Sequence, residues 1–167
     1  MKPRIYIGTS VIGGWFDDEF QEWSNKLFDE FISGNYIALI SDVTTTELED
    51  APDYVKNRID DIPANNIEYI KVNDDIKNLA SKYIEFRAVS SNYIDDATHI
   101  AAASINKVDI LVSWNFKHIV NYRRIKLYNS INMMFDYQII DIRTPREVLR
   151  DDSENFWLCW FAKKNKG

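Results

Sequence analysis

The sequence predicts an α/β fold in which a mainly parallel sheet carries helices on both faces. Two observations lead there. Short β-branched or apolar runs alternate along the chain with segments whose apolar residues recur at 3,4 spacing, and residues that cap helices follow directly on several of the runs. A third observation fixes the number of units: with only four Pro and five Gly in 167 residues, no Ser- or Gly-rich linker and no internal repeat divides the chain. One domain spanning 1–150 is expected, followed by a tail, 151–167.

Arg4 to Ile7 reads as a strand that ends at Gly8-Thr9-Ser10, where Thr and Ser can open a helix. Phe20, Trp23, Leu27, Phe28, Phe31 and Ile32 share one helix face, and Gly34 supplies the residue after its C-terminus. Ile37 to Ile40 is the second strand, and Ser41 or Asp42 opens a helical segment through Leu48. After Pro52, Asp53 to Ile59 is weakly helical, and Ile67 to Val72 is a third strand. Asn73 caps a helix whose apolar positions are Ile76, Leu79, Ala80, Tyr83 and Ile84. Asp95-Asp96-Ala97 starts an Ala-rich helix through Ile105, suited to close packing on a sheet. Asp109 to Ser113 is a buried-type strand, Ile125 to Phe135 a helix and Tyr137 to Ile142 a last strand. Thr144-Pro145-Arg146-Glu147 is a capping box with Pro at the first helical position.

Composition narrows the function classes. Hydrophobic residues make up 46% of the chain, enough for a packed core and too many for a disordered segment. The net charge of −6 excludes a basic coat for nucleic acid. Its distribution is uneven: residues 1–50 hold three basic and ten acidic side chains, residues 111–167 ten and six. Cys159 is the sole cysteine, so no intramolecular disulfide or cysteine-rich zinc site can form. The N-terminus lacks a signal-peptide core and no window reaches the roughly 18 apolar residues of a membrane span. A soluble cytoplasmic protein is expected. No Gly-rich phosphate loop is present, so a dinucleotide or nucleoside triphosphate cofactor is not expected.

In parallel sheets ligands bind beyond the C-terminal strand ends. Glu47, Asp95-Asp96 and Asn115 fall just past strands or at helix starts, and hard oxygen donors from separated segments suit Mg²⁺ or Mn²⁺. An Asp at a helix start is more often a cap, so spacing alone leaves both readings open.

Four stretches resemble, in order, the motifs of PIN-domain proteins. They are Ile5-Tyr6-Ile7-Gly8-Thr9-Ser10-Val11-Ile12, Thr46-Glu47-Leu48, Asp95-Asp96-Ala97-Thr98-His99-Ile100-Ala101-Ala102-Ala103 and Leu111-Val112-Ser113-Trp114-Asn115-Phe116-Lys117-His118-Ile119. The resemblance runs over about residues 4 to 150 and implies a three-layer α/β/α sandwich. It also implies a Mg²⁺- or Mn²⁺-dependent ribonuclease similar to the VapC-like toxins of toxin–antitoxin pairs, with RNA as substrate, an antitoxin protein as partner and a homodimer as assembly. Glu47 and Asp96 match the family's second and third acids, and Asn115 matches the fourth-motif polar position. These three are the expected catalytic and metal-binding residues, with Asp95 and Asp42 as weaker candidates. The family's first acid should precede Thr9, and that position is Gly8. The departure implies weakened cation binding, and with it an alternative reading as a catalytically impaired RNA-binding or protein-interaction module. Gly8 is equally compatible with a turn of positive φ.

Lys117, His118, Arg123, Arg124 and Lys126 form a basic strip suited to RNA phosphates. For His99 the structural role, orienting a carboxylate or filling a helix face, is favoured; for His118 packing is favoured over catalysis. Phe156-Trp157-Leu158-Cys159-Trp160-Phe161 is an apolar run that must be covered, by its own domain, a second copy or an antitoxin.

Overall fold

The computed structural model describes residues 1–152, with side chains through 149. The aromatic run expected to need a cover lies outside the described residues. Five strands, β1 (Arg4–Ile7), β2 (Ile37–Ser41), β3 (Ile67–Ile70), β4 (Ile110–Val112) and β5 (Asp141–Arg143), form one all-parallel sheet in the order β3-β2-β1-β4-β5. The helices are α1 (Thr9–Gly13), α2 (Gln21–Ser33), α3 (Asp42–Glu47), α4 (Asp53–Asp60), α5 (Asp74–Glu85), α6 (Ile94–Ile105), α7 (Tyr122–Met134) and α8 (Pro145–Asp152).

Strand alternation sends Tyr6, Leu39, Leu111 and Ile142 to one face, where they pack with α5, α6 and α7. Ile5, Ile7, Ala38, Ile40, Ile110 and Val112 point to the other face, against α1, α2, α4 and Val148 of α8. The central strands are therefore buried on both faces, which is why β1, β2 and β4 read as near-continuous apolar runs. Ala101, Ala102 and Ala103 are fully buried, and their small side chains let α6 lie close on the sheet. The mainly parallel sandwich is thus observed. Among the described residues no helix is long and apolar enough to cross a membrane.

Three boundaries differ from expectation for identifiable reasons. The last strand covers 141–143 rather than 137–142, because Asp136 adopts a positive φ of 60° and side-chain amides take up the backbone that follows. Asn129 both donates to the Ile140 carbonyl (3.0 Å) and accepts its N–H (2.8 Å), and Asn132 donates to Gln138 O (3.0 Å). The third strand stops at Ile70 rather than Val72, whose N–H donates to Asp42 Oδ2 (2.8 Å) instead of a strand partner. Helix α7 starts at Tyr122 rather than Ile125, because the Asn121 side chain accepts the Arg124 N–H and caps it. The Thr144 capping box is present: Thr144 N–H donates to Glu147 Oε2 (2.7 Å) and Glu147 N–H to Thr144 Oγ1 (3.2 Å). Gly34 closes α2 at φ 77°, as its C-terminal position requires.

One buried polar cluster ties the helices of one layer together. Tyr83 of α5 donates to Asn132 Oδ1 of α7 (2.5 Å), and Asn132 Nδ2 donates to Ser104 Oγ of α6 (3.0 Å). All three residues are buried. Tyr83→Phe leaves Asn132 Oδ1 unpaired in an apolar surrounding and should lower the unfolding free energy by about 1–3 kcal/mol. Urea titration followed by circular dichroism measures this, and an unchanged midpoint would remove the cluster from the list of what holds the helices.

Candidate functional site

Winding reverses between β1 and β4: the chain builds outward through β2 and β3, then returns to the other side of β1. At such a point the two strand ends diverge into a crevice. The register Ile7↔Val112 sets Gly8 beside Ser113 at that mouth, and Gly8 N–H donates to Val112 O (3.0 Å). Ser10 Oγ lies 3.1 Å from Ser113 Oγ and accepts the Trp114 N–H (2.9 Å), so the two loops are stitched together.

Gly8 is not at positive φ. It sits at φ −71°, ψ 157°, an extended conformation open to any residue, at the N-terminus of α1. A Cβ built there would meet Ser113 Oγ and Val112 O at 3.5 Å, ordinary contact distances. The turn explanation for this glycine is therefore overturned.

Two carboxylates converge on the mouth from different helices. Glu47, the last residue of α3, accepts from Thr9 Oγ1, and its Oε2 lies 3.1 Å from His99 Nε2 on α6. His99 Nδ1 is 2.7 Å from the Tyr6 hydroxyl, itself 2.7 Å from Ser41 Oγ. An ionised carboxylate only accepts, so Nε2 carries the proton facing Glu47, and in the neutral ring Nδ1 accepts from Tyr6. Burial tends to raise the Glu47 pKa, but the His99 and Thr9 hydrogen bonds and the His99 charge bring it below the usual range.

Asp96, in the first turn of α6, is held from the other side. His118 Nδ1 lies 3.0 Å from Oδ2, and Asn115 Nδ2 donates to Oδ1 (3.1 Å). The Tyr93 ring lies against His118 with centroids 3.7 Å apart, and Tyr128 donates to the His118 carbonyl (2.7 Å). Burial holds the Asp96 carboxyl above its usual range; His118 and His99 pull it down and the Glu47 charge pushes it further up.

Other candidates have different places. Asn115 directs its oxygen away from the crevice, to the N–H groups of Lys117 (3.2 Å) and His118 (3.0 Å), so it reaches Asp96 as a donor. Asp95 is exposed on the neighbouring face of α6, and Asp42 holds Val72. Lys117 lies over the Tyr93 ring at 5.7 Å and Lys126 over Tyr122 at 4.4 Å, while Arg123 is exposed. Arg124 instead donates to the carbonyls of Ala88 (2.5 Å) and Lys117 (3.1 Å), which makes it a brace between loops. Sequence reasoning missed Tyr6, Thr9 as a Glu47 donor, and Tyr93. Only the nearness of Thr9 to the absent first acid could have signalled one of them.

The donor set does not fit a complete divalent-cation site. Among the described residues no group of three or more His, Cys, Asp or Glu is placed to hold a metal ion. Glu47 and Asp96 supply two charges, each carboxylate already faces a histidine, Gly8 adds none, and the Asn115 oxygen is engaged by backbone.

The raised pKa of Asp96 has a consequence for stability. A carboxyl whose folded pKa lies above its unfolded value binds its proton more tightly when folded, so ionisation costs stability above that pKa and the cost disappears as pH falls. Asp96→Asn should therefore be at least as stable as wild type at pH 7 to 8, with the difference shrinking on acidification. Thermal unfolding across pH checks this; a variant clearly less stable at neutral pH contradicts it.

No protein-family model and no curated protein matches the chain. Among solved structures it is similar to a chain in the crystal structure of VapBC2 from Rickettsia felis bound to a DNA fragment from their promoter. The TM-score is 0.54 and the identity 13%, with 84% of this chain and 98% of that chain covered. At that identity the likeness is one of fold: a five-stranded all-parallel sheet between layers of helices.

Proposed function

We propose that this chain is a PIN-like component of the toxin–antitoxin type that binds RNA at the mouth of its sheet, with phosphodiester hydrolysis impaired at Gly8. The observation that carries the reading is the convergence of Glu47 and Asp96 on the β1/β4 crevice, beside a position where the family's first acid is replaced by hydrogen. Lys117 and Arg123 would meet the RNA backbone from the loop and helix that follow β4, and His118 would hold Asp96 rather than attack. The PIN-like fold and its likeness to a chain of the VapBC2 structure support an antitoxin chain as partner, and a homodimer is the assembly this reading expects.

The second reading is the intact enzyme, a Mg²⁺- or Mn²⁺-dependent ribonuclease. It is favoured by one observation: both remaining acids are oriented into the same site by dedicated partners, Thr9 and His99 for Glu47, Asn115 and His118 for Asp96.

Gly8→Asp separates the two. The backbone there accepts a side chain without strain, and an Asp at a helix N-terminus also caps it. Wild type should bind single-stranded RNA, give no heat with Mn²⁺ and leave the RNA intact; Gly8→Asp should bind Mn²⁺ at least about tenfold more tightly, since ligand charge sets the affinity for hard ions, and cleave. Calorimetry and RNA gel assays read both. Cleavage by wild type matching that of Gly8→Asp would establish the second reading, and a wild type that binds no RNA would end both.

A further inference from the structure

We propose that the aromatic cavity next to the acid pair is a stacking site for an unpaired nucleobase, an inference that rests on the reading of the mouth as an RNA site. The cavity has a volume of about 450 Å³ and is walled by Phe20, Trp23, Trp114, Phe116 and Arg146 together with Glu19 and Glu147, drawn from the start of α2 and the residues before it, the loop after β4, and α8. A base has two flat π-faces and a polar edge. A site for it needs aromatic panels held in place with hydrogen-bonding groups at the rim.

The panels are fixed by contacts of their own. The Trp114 indole N–H donates to Ser24 Oγ (2.9 Å), and its ring stacks on Phe20 with centroids 4.5 Å apart and planes at 21°. Two cations lie near the Trp23 ring, Lys26 Nζ at 4.5 Å, itself paired with Glu22 at 2.6 Å, and the Arg146 guanidinium at 5.7 Å. Phe116 differs: it sits 6.2 Å from both Phe20 and Trp114 yet is 51% exposed. One aromatic ring thus stands half in water beside others that are locked, and a stacked base would bury it.

Position and the polar groups of the lining favour a nucleic-acid base over an apolar peptide. Asn115 lies between Trp114 and Phe116 and donates to Asp96, so a single residue separates the cavity from the acid pair. Arg146 brings one positive charge to the lining, where a phosphate flanking a seated base would pass. Glu19, also at the rim, can accept from an exocyclic amino group.

The test uses the full chain and a short oligoadenylate carrying one 2-aminopurine, with anisotropy for affinity and 2-aminopurine quenching for stacking. Phe116→Ala should weaken binding about tenfold, the size expected for one lost base–aromatic stack, and abolish the quenching; Phe116→Tyr should restore both. The same oligonucleotide with an abasic residue should bind wild type as weakly as the intact one binds Phe116→Ala. Because Phe116 is half exposed, the variants should fold, which circular dichroism confirms. Wild type that binds intact and abasic RNA equally, with Phe116→Ala unchanged, overturns the stacking site and leaves the RNA reading standing; the aromatic face would then belong to a protein contact. Wild type that binds no RNA overturns both.

Discussion

The parallel pairing of β1 with β4 is the constraint on which the site depends. With Ile7 level with Val112, the chain leaves both strands at the same height, and everything at the mouth is built on that coincidence. The Ser10–Ser113 contact and the Trp114 N–H bond to Ser10 close the gap between the loops. Asn115 can then reach Asp96, and Trp114 can turn its indole to Ser24 on the opposite layer. A slip of one residue in this pair would also exchange the faces of Tyr6 and Ile7. Tyr6 would leave His99, and an isoleucine would meet a buried imidazole. The apolar alternation that fills both cores therefore protects the site as well.

Electrostatics explains the two histidines. Like charges in one partly buried crevice repel more strongly than in water, because the effective dielectric is lower. Two partly buried carboxylates in one crevice need counter-groups for the fold to tolerate them. Glu47 has His99, backed by Tyr6 and Ser41, and ends with a pKa below the usual range; Asp96 has His118 and Asn115, and remains above it. Tyr6 is fully buried, its own ionisation is pushed up by burial, and it serves as a fixed donor rather than an acid.

The fold was legible because its signals are local. Strands β1, β2 and β4 are short apolar runs, α2 and α5 show their apolar stripes, and caps such as Asn73 and Thr144 mark where helices begin. What escaped lies in contacts between residues far apart in sequence. The Tyr6–His99 and Glu47–His99 bonds span 93 and 52 positions, and nothing near Tyr6 distinguishes it from any core aromatic of a strand. The stretch 137–140 looks like a strand by composition, yet Asn129 and Asn132 on α7 satisfy its backbone from the side. Arg124 looked like a phosphate ligand by charge alone, whereas its guanidinium is spent on two carbonyls. Asn115 was read as an oxygen donor, and backbone N–H groups turn its amide the other way.

Gly8 brings these lines together. Its backbone is ordinary, a Cβ would fit, and a glycine at a helix N-terminus differs from Asp or Ser by only a few tenths of a kcal/mol. Neither strain nor crowding accounts for the glycine, so its consequence falls on the charge of the crevice. A third carboxylate there would add to the mutual repulsion of Glu47 and Asp96, each of which has one histidine beside it. Glycine leaves the crevice with two carboxylates and one histidine beside each, both supplied by the chain.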